Sequence, residues 1–169
     1  MIQQMILPGF LSTFKHSWRV LPSNILLSRV LEELRFYLES LLPKELASKV
    51  YLVADELLRN SLEHGCFKIG TDRKAELLKK GEYETFLTEL QGGQSALTDS
   101  WIELDLEFSP NGILLQVRDS GAGYDFDSVS NEKSLDLARL SQRGIQIVQS
   151  LSSKILVSKN PTQTSAYFS

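Results

Sequence analysis

Ile113-Leu114-Leu115-Gln116-Val117-Arg118-Asp119-Ser120-Gly121-Ala122-Gly123 runs from an apolar strand into a carboxylate and then through two glycines. An ionised carboxylate only accepts hydrogen bonds, so Asp119 can select a donor such as the amino group of a heterocycle. Gly121 and Gly123 permit backbone shapes and close approaches that a side chain would block. Upstream, Glu56, Asn60 and His64 recur every fourth residue. On a helix that spacing drifts only about 40° per step, so the three form one polar line opposite Val50, Val53 and Leu57. An amide oxygen in such a line suits Mg²⁺, which takes hard oxygen ligands and keeps room for water and phosphate. A glutamate one turn back can take a proton from an attacking hydroxyl. Taken singly, each pattern also fits an ordinary polar helix face or a strand-ending turn. Together they point to ATP.

The rest of the chain supplies a frame for these two elements. Trp101 to Phe108 alternates apolar and polar residues, Ser109-Pro110-Asn111-Gly112 is a turn, and Ile113 to Arg118 is the partner strand. Before it, Leu26, Leu27, Val30, Leu31, Leu34, Leu38 and Leu41 recur at helical spacing between Ile25 and Leu42. Pro22-Ser23-Asn24 offers caps for that helix, and Pro43 separates it from a second helix over Lys44 to Glu63. The second helix has the stripe Leu46, Val50, Val53, Ala54 and Leu57, with Gly65 just past its end. A first strand is expected over Leu11 to Val20. Arg143 to Leu151 reads as a helix with Ile145, Ile147, Val148 and Leu151 as its apolar set, and Lys154 to Ser158 and Thr164 to Phe168 as two closing strands. Ser141-Gln142-Arg143-Gly144 is expected to open that helix, presenting free N–H groups and a cation to an anion. Residues 125–143 are mostly polar and are expected to form a lid.

Residues 66–100 differ in kind. They are polar, with charges of alternating sign from Asp72 to Glu84, which indicates a solvated face. One or two short helices, interrupted near Gly81, are expected, anchored by Leu77, Leu78, Phe86, Leu87 and Leu90. We read this as a helical insertion on the rim of a single domain spanning 1–169.

Composition bounds the function. With 169 residues, 42% of them apolar, the chain can bury one domain's core. A net charge of −3 argues against direct nucleic-acid binding, which favours a basic face. The single cysteine, Cys66, cannot form an internal disulfide, and no apolar run is long enough to span a bilayer. The opening residues lack a basic n-region and a cleavage-like site, so a cytoplasmic protein with no membrane contact is expected. His16, Trp18 and Trp101 carry only a packing role, and no Cys/His spacing indicates zinc.

Glu56-Leu-Leu-Arg-Asn60-Ser-Leu-Glu-His64-Gly65 resembles the N box of the GHKL ATPases, which include sensor histidine kinases, gyrase, Hsp90 and MutL. Asp119-Ser-Gly121-Ala-Gly123 resembles their first glycine box, and Arg143-Gly144-Ile145 a remnant of their second. The compact size, the His64-Gly65 ending and the lack of a phospho-acceptor helix are most similar to the bacterial anti-sigma-factor serine/threonine kinase branch. The likeness runs from about Pro22 to Phe168. It implies an α+β fold, a two-layer sandwich with a mixed, mostly antiparallel sheet and helices on one face.

The resemblance further implies ATP and Mg²⁺ between the helices and a flexible lid. Glu56 would be the general base and Asn60 the Mg²⁺ ligand. Asp119 would read adenine, helped by Gly121, Gly123 and Thr164. His64, Arg143 and Gly144 complete the nucleotide set. The expected substrate is a hydroxyl of a small antagonist protein of the anti-anti-sigma type. A sigma factor or response regulator is a further expected partner, and a homodimer a common assembly. The chain departs from the pattern twice. Gln142 stands where a glycine usually precedes Arg-Gly, and Gln163 where one precedes the late Thr. A residue with Cβ at 142 constrains a closing lid. Two rivals therefore stay open: a non-catalytic module that sequesters a partner, and the ATP-binding subunit of a split histidine kinase.

Overall fold

A computed structural model describes residues 13–92, 99–121, 138–159 and 162–169. The strands are β1 (Phe14–Val20), β2 (Ile102–Ser109), β3 (Gly112–Asp119), β4 (Lys154–Lys159) and β5 (Thr162–Phe168). The helices are α1 (Asn24–Leu41), α2 (Lys44–Asn60), α3 (Thr71–Lys80), α4 (Tyr83–Gly92) and α5 (Ala138–Leu151), with a π turn over Ser61–Cys66. The five strands form one sheet in the order β1-β2-β3-β5-β4. Every pairing in it is antiparallel. The expected α+β layering holds, but the sheet is antiparallel throughout the described residues rather than mixed.

Alternation along the strands sorts the sheet into two faces. Trp18, Ile102, Leu104, Leu106, Phe108, Ile113, Leu115, Val117, Ala166 and Phe168 turn inward. They meet Leu27, Val30, Leu31, Leu34 and Leu38 of α1, Val50, Val53, Ala54, Leu57 and Leu58 of α2, and Val148 of α5. Each fully buried side chain of this kind stabilises the fold by roughly 1.5–3 kcal/mol. Leu41 leaves the expected stripe, being 40% exposed, and Leu42 is buried in its place.

The opposite face of the sheet is polar and cross-linked. Asp105 is buried there, receiving the Ser17 hydroxyl at 2.5 Å, Lys15 at 2.9 Å and Arg118 at 2.6 Å. Burial alone would raise its carboxyl. The Ser17 hydroxyl and the two cations outweigh burial and hold it below its ordinary range. Arg118 also binds Glu103.

The β2–β3 turn shows why a glycine closes it. Gly112 has φ +126°, and a Cβ there would lie 2.3 Å from the Phe168 carbonyl oxygen. Ser109 Oγ donates to the Gly112 carbonyl at 3.1 Å and accepts the Asn111 N–H at 3.3 Å.

The insertion forms its own small core of Ile69, Leu77, Tyr83 and Leu87, flanked by Phe67, Phe86 and Leu90. Leu78 is 43% exposed and anchors nothing. Gly81, in the left-handed region at φ 71°, ends α3, with Glu82 N–H donating to Leu77 O and Gly81 N–H to Leu78 O. α3 packs back on α5.

The helix expected from Arg143 begins at Ala138 instead. Its first turns are built from residues that support helix well, and they extend the element upstream. Arg143 and Gly144 therefore lie inside α5, where backbone N–H groups already bond within the helix. They do not form a free helix N-terminus. Of the expected lid over 125–143, residues 125–137 lie outside the described residues, and 138–143 are the first turns of α5.

Candidate functional site

The cleft is built where α2 loosens. The π turn Ser61–Cys66 adds a residue to the turn, and its end is fixed by Phe67 N–H to Leu62 O at 2.9 Å and Ile69 N–H to Glu63 O at 2.8 Å. Such a bulge replaces i→i+4 spacing by i→i+5 and re-aims the side chains beyond it. Gly65, five residues after Asn60, takes the next place on the cleft side. His64 turns aside, with Nδ1 2.6 Å from the Ile69 carbonyl oxygen. Burial lowers its pKa below the ordinary imidazole value. The four-residue step thus brings Glu56 and Asn60 together but not His64.

Asp119 ends β3 facing this turn. It is 6% exposed, and Oδ1 accepts the Gly121 N–H at 2.9 Å. The Ser61 hydroxyl donates to the same carboxylate. Burial still dominates and raises the carboxyl above its ordinary range, with Ser61 and Gly121 opposing. Asp119 is therefore a buried acceptor with capacity to spare. Its surroundings are backbone: a Cβ on Gly65 would lie 2.6 Å from Asp119 Oδ1, and one on Gly121 would lie 2.2 Å from the Gly65 carbonyl oxygen. Both glycines are needed for close approach, since neither has a positive φ. Thr162 Oγ1 donates to the Gly121 carbonyl at 3.1 Å and ties the turn to β5.

The cleft is lined by Leu57, Asn60, Ser61, Gly65, Asp119, Val148, Val157, Ser158, Thr162 and Thr164. Asp119, Asn60, Gly65 and Thr164 thus line one hollow. Gln163 points the other way, donating to Ser165 Oγ at 3.1 Å, so its side chain leaves the cleft free. Gly123 and the side chains of Gln142 and Arg143 lie outside the described residues. The hollow encloses about 40 Å³, room for a few waters. Sites for larger ligands enclose about 300–1,000 Å³. Two roomier hollows, about 400 Å³ beside Lys49 and Ser169 and about 360 Å³ between α1 and α2, gather no comparable set of buried acceptor and glycine backbone.

Glu56 lies one turn before Asn60, half-buried beneath α5. A Cβ on Gly144 would lie 1.6 Å from Glu56 Oε1. Gly144 therefore lets α5 lie directly over this carboxylate. Burial raises the Glu56 carboxyl, while the Lys74 charge and a hydrogen bond from Asn60 pull it back. That hydrogen bond commits the Asn60 amide nitrogen to Glu56 and leaves the amide oxygen for the cleft. Among the described residues no group of three or more His, Cys, Asp or Glu could hold a metal. The donor set suits a Mg²⁺ held by one amide oxygen and completed by phosphate and water.

Three residues of this neighbourhood escape sequence reasoning: Ser61, Glu63 and Lys74. Ser61 continues α2 in regular α geometry, four residues after Leu57, and faces Asp119. Glu63 is buried and takes an ion pair from Lys74 of α3. The Tyr83 hydroxyl is buried beside the same carboxylate without reaching hydrogen-bond geometry, and burial and Glu63 both raise its pKa. Alternating charge marks α3 as solvated, and nothing in that pattern singles out Lys74.

No helix among the described residues is long and apolar enough to cross a membrane. Compared with known proteins, the chain matches no family model and no curated protein sequence.

Proposed function

We propose that the domain binds MgATP and phosphorylates a serine or threonine of a small antagonist protein, acting as a GHKL-type, anti-sigma-like switch. The observation that carries this reading is the buried Asp119 carboxylate. It is set against the backbone of Gly65 and Gly121, in one hollow with Asn60 and Thr164. Ser61 and Gly121 use only part of what this buried acceptor can take, and an exocyclic amino group on a flat base supplies a further donor. Asn60 would hold the Mg²⁺, whose charge, when bound, offsets that of the phosphate oxygens. Glu56 would take the proton of the attacking hydroxyl while the phosphoryl group passes to that oxygen and ADP leaves. Its raised pKa suits a base working near neutral pH.

One observation favours a second reading, a partner-sequestering module without turnover. Glu56 is covered by Gly144, and the hollow is small. Incubation with γ-labelled ATP, Mg²⁺ and a serine-bearing candidate antagonist separates the two. The kinase reading expects label on the antagonist with the wild type and none with Glu56→Gln, which still binds nucleotide. Nucleotide binding without transfer to any candidate would leave the sequestering module.

A further inference from the structure

Glu63 is a buried carboxylate, its side chain 4% exposed, on the turn that follows Asn60. Beside a triphosphate it would repel the ligand. Lys74 answers it: the ammonium donates to Glu63 Oε2 and lies 5.6 Å from the centre of the Tyr83 ring. Unlike Glu63, the Lys74 side chain keeps 21% of its surface exposed. It arrives on α3, which packs on α5, the helix that covers Glu56. Its charge acts on Glu56 and His64 as well as on Glu63.

We propose that Lys74 is a phosphate-reading residue of the cleft, its ammonium contacting the terminal phosphate of a bound nucleoside triphosphate. This rests on the nucleotide reading above. A phosphoryl group passing to a hydroxyl activated by Glu56 must lie beside Glu56, which α5 covers, and α3 brings Lys74 against α5 and onto the turn that follows Asn60. An ammonium carries three donors. Lys74 can therefore keep Glu63 and add a phosphate oxygen without breaking the pair. The pair has a second consequence: the insertion is tied to the helix that bears the reacting groups, so whatever moves α3 moves a phosphate contact.

The test compares a triphosphate with a diphosphate by calorimetry, using the non-hydrolysable analogue AMPPNP and ADP with Mg²⁺. Removing Lys74 alone strands a buried carboxylate and endangers the fold. Lys74→Met is therefore made in a Glu63→Gln background and compared with Glu63→Gln alone. The expected result is a loss of AMPPNP affinity of about tenfold or more, with ADP changed less than about twofold. Lys74→Arg in the wild-type background should keep the preference for the triphosphate. Equal weakening of both nucleotides, or of neither, would overturn the proposal and leave Lys74 as a tether for the insertion. A wild-type protein that binds neither nucleotide would instead overturn the reading of the cleft itself, and this inference with it.

Discussion

Gly121→Ala perturbs the cleft at the point where two backbones touch. The new Cβ would stand 2.2 Å from the Gly65 carbonyl oxygen and 2.5 Å from its carbon. Ordinary contact begins about an ångström further out, so the seam between the π turn and the end of β3 must open. No flexible side chain can yield, because the obstacle is backbone on both sides. Overpacking of this kind costs about 1–3 kcal/mol, and a rigid obstacle puts this case near the upper end. Opening the seam also strains the hydrogen bond from Gly121 N–H to Asp119, 2.9 Å long. For a chain of 169 residues each kcal/mol lowers the melting temperature by about 2–4 °C. A fall of about 4–12 °C is expected. Gly70→Ala is the control, since nothing lies within 4 Å of its Cβ and its φ is negative. It should move the melting temperature by about 2 °C at most. Calorimetric melting of the three proteins decides the matter. If Gly121→Ala melts with the wild type, the seam is not close-packed, and the account of how Asp119 is held fails.

Asp119 carries a pH signature. Its folded pKa is raised, chiefly by burial. The folded state therefore binds its proton more readily than the unfolded chain, and the group costs stability once pH rises through the folded pKa. Asp119→Asn should thus unfold at higher denaturant than the wild type at pH 7, with the gain lost at pH values below the ordinary carboxylate range. A gain of the same size at both pH values would contradict the burial argument. Cys66 should be nearly inert: burial, with the Asp119 charge, pushes its thiol from 9.0 up to about 12. At pH 8 that lowers the thiolate population roughly a thousandfold relative to an ordinary thiol. Alkylation with iodoacetamide should be slow in buffer and rapid in denaturant, and equal rates would show the thiol to be open. Asn60→Ala should lose the Mg²⁺-dependent part of nucleotide affinity. Unchanged Mg²⁺ dependence would remove Asn60 from the metal.

The fold was legible where periodicity carried burial. The stripe through Leu27, Val30, Leu34 and Leu38 and the alternation from Ile102 to Phe108 follow from which face of each element meets the core. Asp119, Asn60, Gly65 and Thr164 meet because α2 and the β3–β5 pair border one hollow, and their order along the chain agrees with that. His64 leaves the line of Glu56 and Asn60 because a π turn follows Asn60, and no residue pattern announces that turn. Lys74 was missed because its neighbours Asp72, Arg73 and Glu76 are solvated, and only the buried Glu63 on another element makes it different. The start of α5 slipped to Ala138 because polar helix formers look the same in a loop.

The most direct test of the central claim is base selectivity at Asp119, measured by calorimetry with MgATP and MgGTP. Adenine offers an amino group where guanine offers a carbonyl, and a buried carboxylate can accept only from the former. The account predicts that the wild type binds ATP about tenfold or more tightly than GTP. It also predicts that Asp119→Asn, which can donate as well as accept, narrows that gap. Equal affinity for both nucleotides, or no binding of either, would contradict it.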